Sequence, residues 1–281
     1  MKPKPFTITA EAASKGPYVP QMGIKYPEKP DEHMNVGPKV VDINFDTNYP
    51  YLDESPGFKL WSGFIYFVIW TLVFMVCPIR YALRIEGRSI LKKNKALFKN
   101  GAMTVSNHML RWDFLSVLQA VRYRRLWFPT VKELVLGSDR GVTRAVGGIP
   151  VPSDIHAIRS FTNAFDELHR RKKWFHAFPE ASSWFFYQPI RPFKKGMFTM
   201  AYKYNIPVIP IALSYRPPTG IYRFFKKGSP LITLRIGEPI LPDQSMPRKE
   251  AVNLLRQQCH KKIVELAGIP EGENPWPCEG D

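Results

Sequence analysis

Acidic side chains are in short supply in this chain. Its 281 residues hold 24 Asp and Glu against 40 Lys and Arg, a net charge of +16. Cysteine is scarcer still: 3 residues, an odd number, which excludes a disulfide framework and fits reducing surroundings. No G-x-G-x-x-G or Walker-type loop occurs, so no nucleotide cofactor is expected. The histidines outside residues 106–113 (His33, His156, His169, His176, His260) lack metal-ligand spacing with Cys or carboxylates, and no metal is expected. Met1-Lys2-Pro3-Lys4-Pro5 is not the start of a secretory signal peptide. A mean hydropathy of −0.23 excludes a polytopic membrane protein. What remains is an ordinary globular composition, 44% hydrophobic and 23% charged.

The positive charge is unevenly placed. Residues 1–58 carry 6 basic and 8 acidic side chains, whereas residues 59–281 carry 34 and 16. Such a basic body suits an anionic membrane, an acidic substrate or nucleic acid. The junction between the two parts favours the membrane. Leu60 to Ile79 is twenty residues without a charge, long enough to cross a hydrocarbon core of ~30 Å. Trp61, Tyr66 and Trp70 are candidate interface anchors. Arg80, Arg84, Arg88, Lys92, Lys93 and Lys95 follow, and this excess puts the C-terminal body in the cytoplasm. A buried core helix and an in-plane or re-entrant anchor are the competing readings; Gly63 and Pro78 suit the latter.

Four regions follow. Residues 1–58 read as an extended or partly disordered arm, with Val40–Phe45 as its best strand candidate. Residues 59–80 read as the apolar anchor, 81–268 as the folded domain, and 269–281 as a loose tail. Within the domain, strands are expected at Tyr81–Gly87, Ala102–Ser106, Leu126–Val131, Trp174–Phe178, Val208–Tyr215 and Leu231–Ile236. Helices are expected at Arg88–Leu97, Asp113–Val121, Asp154–Arg171 (capped by Asp154), Met197–Tyr204 and Arg248–Ala267. The alternation predicts an α/β fold: a mixed, partly parallel sheet flanked by helices, preceded by a membrane-associated helix.

The strongest chemical signal follows the strand at 102–106. It reads Ser106-Asn107-His108-Met109-Leu110-Arg111-Trp112-Asp113. His108 and Asp113 are five apart and do not adjoin on a regular helix. They can meet if His108 lies on the strand-exit loop and Asp113 in the first helical turn. The carboxylate then fixes one imidazole nitrogen and leaves the other as a base. No nearby Ser or Cys is an obvious nucleophile, so the base would deprotonate a substrate hydroxyl that itself attacks. Phe178-Pro179-Glu180 ends a strand 72 residues after His108. In a parallel sheet both segments emerge at carboxyl ends, where α/β sites form.

These segments resemble, in order, the motifs of the glycerolipid acyltransferases, whose type member is 1-acyl-glycerol-3-phosphate acyltransferase. N-H-x4-D is matched by Asn107, His108 and Asp113. The second block is matched in part by Gly147-Gly148-Ile149-Pro150-Val151, the third by Phe178-Pro179-Glu180, and the fourth by Val208-Ile209-Pro210-Ile211. The resemblance spans about residues 80–240. It implies His108 as general base, Asp113 as its orienter, and Asn107 and Glu180 as substrate-binding residues. It also implies a lysophospholipid acceptor and an acyl-CoA or acyl-carrier protein donor, a co-substrate in place of any cofactor. Two arginines of the family pattern are replaced, by Ser153 and Ser183. Arg191, Lys194 and Lys195, on the following loop, are the candidates to meet the acceptor's phosphate in their stead.

The reading is thus a membrane-bound O-acyltransferase of phospholipid synthesis, with backbone amides near the His108 loop stabilising the oxyanion. Trp112, Trp184, Phe185, Phe186 and Tyr187 are candidates for an apolar acyl path. Three alternatives stay open: an acceptor without a terminal phosphate, a non-catalytic membrane adaptor on the same fold, and a basic nucleic-acid binder. The last has no use for the apolar segment.

Overall fold

The computed structural model describes residues 18–20, 22–32, 34, 45–110, 113–122, 124–136, 140–152, 154–225 and 230–278. Seven strands make one sheet. They are β1 (Arg84–Glu86), β2 (Met103–Ser106), β3 (Leu126–Thr130), β4 (Gly148–Pro150), β5 (Trp174–Ala177), β6 (Val208–Arg216) and β7 (Leu231–Ile236), ordered β1-β7-β6-β2-β5-β3-β4. Every pairing is parallel except β6 with β7, which is antiparallel. The expected mixed, partly parallel α/β sheet is borne out. Its central strand β2 lies between β5 (Val105 opposite Ala177) and β6 (Ser106 opposite Ile211).

Alternation along the strands builds two cores. On β6, Ile209, Ile211, Leu213 and Tyr215 face one side, with the helix Asp113–Val121. Val208 and Ala212 face the other, with the helices Ile158–Arg170, Gly196–Tyr204 and Arg248–Ala267. β5 splits the same way, with Trp174 on the first side and Phe175 and Ala177 on the second.

The apolar segment is a helix, Pro56–Tyr81. Ser55 caps it by accepting from the Phe58 N–H, and Pro56 sits at the first turn, where its missing N–H is not needed. It is long and apolar enough to cross a membrane. One stripe packs on the body. Ser62 and Cys77 are buried, Tyr66 and Ile69 lie against the core, and the neighbours are the helices Asp113–Val121 and Arg140–Ala145. The Ser62 hydroxyl donates to Ala145 O (2.6 Å) and the Tyr66 hydroxyl to Arg124 O (2.8 Å). Leu60, Phe64, Phe67, Phe74, Met75 and Ile79 face outward, each more than half exposed.

Several boundaries differ from expectation. Tyr81 ends the apolar helix, so the first strand begins only at Arg84. The expected helix from Arg88 breaks at Asn94, whose side chain turns back onto Ile90 O, and continues as a 3-10 turn, Lys95–Asn100. Asp154 caps a 3-10 turn, Ile155–Ala157, ahead of the α-helix. The helices Lys132–Leu136, Arg140–Ala145 and Ile221–Phe225 and the edge strand β4 were not anticipated, each being too short to establish a period. Gly147 has φ +110°, and a Cβ there would lie 2.3 Å from Leu126 O. The Gly147-Gly148 pair is therefore required for the turn that seats β4 against β3. Of the candidate strand Val40–Phe45, all but Phe45 lie outside the described residues.

Candidate active site

β2 ends at Ser106 and β5 at Ala177, side by side and pointing the same way, so His108 and Glu180 leave the sheet from one edge. Helix Asp113–Val121 starts just beyond the His108 loop. Its first residue turns back: one oxygen of Asp113, Oδ2, accepts from the Met109 N–H (2.6 Å), the Leu110 N–H (2.8 Å) and His108 Nδ1 (3.0 Å). Asp113 is fully buried, whereas the His108 side chain keeps a fifth of its surface exposed, 21%. The imidazole lies flat on the Phe178 ring, with centroids 4.1 Å apart and planes at 17°. His108 is thus held on one edge by a carboxylate and on one face by an aromatic ring. Nε2 is the ring nitrogen on the side away from Asp113.

Beneath Phe178 lies His176, edge-on to its ring at 4.4 Å and bonded through Nδ1 to Thr104 Oγ1 at 2.9 Å. Burial, reinforced by the nearby His108, lowers the pKa of His176 to about 3. It is a neutral spacer under the site. Neither Phe178 nor His176 was assigned a role from the sequence, although the Phe178-Pro179-Glu180 block carried the signal for the first.

Asn107 takes a different place from the expected substrate ligand. Its amide accepts from Leu213 N–H (2.8 Å) and donates to Leu213 O (3.0 Å), pinning the end of β2 to β6. Tyr215, further along β6, donates to Met109 O (2.8 Å) and steadies the same loop.

Glu180 and Arg191, expected to face the acceptor, face each other. Arg191 Nη2 lies 2.5 Å from Glu180 Oε2, and both side chains are buried, at 0% and 2% exposed. Arg191 also donates to the hydroxyl and carbonyl of Ser182 and to Pro30 O (2.9 Å), and its guanidinium covers the Trp184 ring at 4.5 Å. Burial pushes the Glu180 carboxyl up, and the Arg191 charge opposes it. Lys194 is exposed and pairs with Asp31 at 3.3 Å. Lys195 is half-buried at the start of the helix Gly196–Tyr204. Ser183 lies on the loop between Glu180 and Arg191, while Ser153 and Trp112 lie outside the described residues.

That loop is clamped from both ends of the chain. Tyr26 stacks on Trp184 (5.9 Å) and donates to Phe185 O (2.9 Å), and Trp184 Nε1 donates to Glu32 O (2.8 Å). Trp276 Nε1 donates to the Tyr187 hydroxyl (2.7 Å), and the Asn274 amide brackets the backbone of Ile190. The loop in turn bonds to the His108 segment, Trp184 N–H to His108 O (3.3 Å) and Phe186 N–H to Met109 O (3.0 Å). Part of the arm and part of the tail, expected to be loose, are therefore built into the body. Trp184, expected on an acyl path, is buried in this clamp. Among the described residues, no group of three or more His, Cys, Asp or Glu is placed to hold a metal ion.

Residues 82–214 match the family model for Acyltransferase. An uncharacterized acyltransferase of Schizosaccharomyces pombe is 27% identical over 192 residues, which are 63% of this chain and 62% of that protein. The chain thus spans less than two thirds of that relative's length. Among solved structures, the 1-acyl-sn-glycerophosphate (LPA) acyltransferase PlsC of Thermotoga maritima aligns over 77% of this chain and 85% of its own, with 21% identity and a TM-score of 0.45. The expected resemblance to the acyltransferase family is borne out by the family match.

Proposed function

We propose, from the match of residues 82–214 to the family model for Acyltransferase, that this chain is a membrane-bound O-acyltransferase. It moves a fatty acyl group from the thioester of acyl-CoA or acyl-carrier protein to a lysophospholipid hydroxyl. The observation that carries the reading is the His108–Asp113 pair, 3.0 Å apart, at the carboxyl end of the central strand. His108 Nδ1–H donates to Asp113, and Nε2 takes the hydroxyl proton as the oxygen attacks the thioester carbonyl. The tetrahedral intermediate collapses with cleavage of the C–S bond, and the imidazolium returns the proton to the departing thiolate. Asp113 stabilises the imidazolium formed in between. The Met109 and Leu110 amides are already committed to Asp113, so the oxyanion donors are other groups than these two.

The acceptor reading divides on Arg191. Its enclosure by Glu180, Ser182 and Pro30 makes it a brace of the site and favours an acceptor whose head group is not a terminal phosphate monoester. On the other reading, a 1-acyl-glycerol-3-phosphate acceptor would meet the exposed Lys194 after displacing Asp31.

The apolar helix supports attachment in the plane of the bilayer. Its Ser62–Tyr66–Cys77 stripe is packed on the body, so a spanning arrangement would drag Arg125 and the helix Arg140–Ala145 into hydrocarbon. The basic residues after it direct the body to the cytoplasmic leaflet.

The test is the full chain in membranes with radiolabelled acyl-CoA and a panel of lysophospholipids. His108→Ala should reduce transfer by roughly 10²-fold or more, the scale for losing a general base. Full activity in a folded His108→Ala protein would overturn the mechanism. Equal use of lysophosphatidate and diester lysophospholipids would remove the acceptor preference.

A further inference from the structure

We infer that the short helix Ile221–Phe225 is a second lipid-contacting element, which enters the head-group region of an anionic leaflet beside the apolar helix. The inference rests on the reading of the apolar helix as a membrane contact.

The helix connects β6 to β7 at one edge of the apolar helix. Tyr222 points inward, and its hydroxyl donates to Pro78 O at 3.1 Å, tying the two helices together. Ile221 and Phe224, three residues apart and so on one face, point outward. Ile221 is 64% exposed and Phe224 82%, the most exposed large apolar side chain among the described residues. A single exposed apolar residue has no special meaning on a protein surface. Here the pair continues a patch, because Ile79, Met75 and Phe74 are exposed at the same end of the apolar helix. Contiguous apolar surface of this kind marks a binding face.

Charge selects the occupant. From Ser214 to Gly237 the sequence has no acidic residue. The helix itself carries the exposed Arg223, and Lys226 and Lys227 follow it in sequence, while Arg216 is tied to Ala82 O and Ile232 O and Arg235 is paired with Glu86. Apolar side chains in a basic surround match a bilayer with anionic head groups, where rings and aliphatic chains enter the interface and cationic tips stay at the phosphates. A second copy of this equally basic chain would set like charges against each other.

The test uses the full chain transferred from detergent to vesicles of phosphatidylcholine with or without phosphatidylglycerol. Cys77 and Cys259 are buried, so in a Cys278→Ser background a cysteine at Phe224→Cys takes a polarity-sensitive fluorophore selectively. The label should shift to the blue and be quenched by doxyl-labelled lipid, more strongly with phosphatidylglycerol. A parallel label at Phe67→Cys reports on the apolar helix. Quenching at 67 but not 224 would overturn this inference and leave the anchor standing. Quenching at neither position would remove both. Ile221→Ser with Phe224→Ser should weaken vesicle partitioning by roughly tenfold or more, following the loss of two lipid-inserted apolar side chains, with transfer to a detergent-dispersed acceptor unchanged. Unchanged partitioning of a folded double variant would overturn the inference. So would an unquenched label at 224 with dimers of the full chain in light scattering.

Discussion

At the scale of single residues, Asp113 is the pivot. One of its oxygens takes three donors, so the same atom that orients His108 also folds the loop that carries it. Asp113→Asn keeps the shape but removes the charge. It should cost most of the activity, and up to ~3 kcal/mol of stability from weakened charge-assisted bonds, read by acyl transfer and thermal unfolding on one preparation. The Glu180–Arg191 pair behaves differently. Arg191→Met leaves a buried carboxyl without its cation and should destabilise by about 3–5 kcal/mol, whereas Arg191→Met with Glu180→Gln should recover much of that loss. Thermal unfolding of both variants checks it. Buried histidines set the acid limit. Burial lowers the pKa of His176 to about 3 and of His260 to about 4, so both are neutral when folded and take up a proton when unfolded. Their contribution is complete above the unfolded value of ~6.5 and declines as pH falls below it, by at most ~1.4 kcal/mol per pH unit for each. Unfolding free energies measured from pH 7 to pH 4 should show this slope, reduced in His176→Gln.

At the scale of elements, the apolar helix has two faces with opposite sensitivities. Phe64, Phe67 and Phe74 changed together to Ser should release the protein from membranes with little effect on folding, because all three point outward. Tyr66→Ala should lower the unfolding temperature and leave membrane binding intact, because its ring packs inward and its hydroxyl holds Arg124 O. Flotation on a density gradient and thermal unfolding separate the two. The sequence made this helix legible through composition and length. It did not show which face meets the body, because an all-apolar run has no polar side to mark the solvent. The helices Asp113–Val121 and Arg248–Ala267 and the strand β7 have the bounds expected from the sequence. The helices at 132–136 and 140–145 were missed because five or six residues carry too few turns to show a period. The His108–Asp113 geometry was legible for a local reason: both residues lie in one strand–loop–helix unit. Arg191 was not, because Pro30, one of the groups that enclose it, is 161 residues away and no local pattern encodes it.

At the scale of the molecule, the two sides of the sheet do different work. One side holds the helices Ile158–Arg170, Gly196–Tyr204 and Arg248–Ala267. The other holds the helix Asp113–Val121 and the apolar helix, so the element that carries Asp113 and the apolar segment share a core. The net charge of +16 should make the approach to anionic vesicles salt-dependent, whereas apolar attachment, once made, should resist a high-salt wash. Complete release by salt alone would mean that the helix lies outside the lipid.

The clamp on the loop between Glu180 and Arg191 also bears on when the site is finished during synthesis. Its braces come from residues 26–32 and from Asn274 and Trp276, some 240 residues later. The sheet can close once β7 has left the ribosome, but this loop waits for Trp276 to emerge. A nascent chain stalled before that point would carry a folded sheet and an unbraced candidate site.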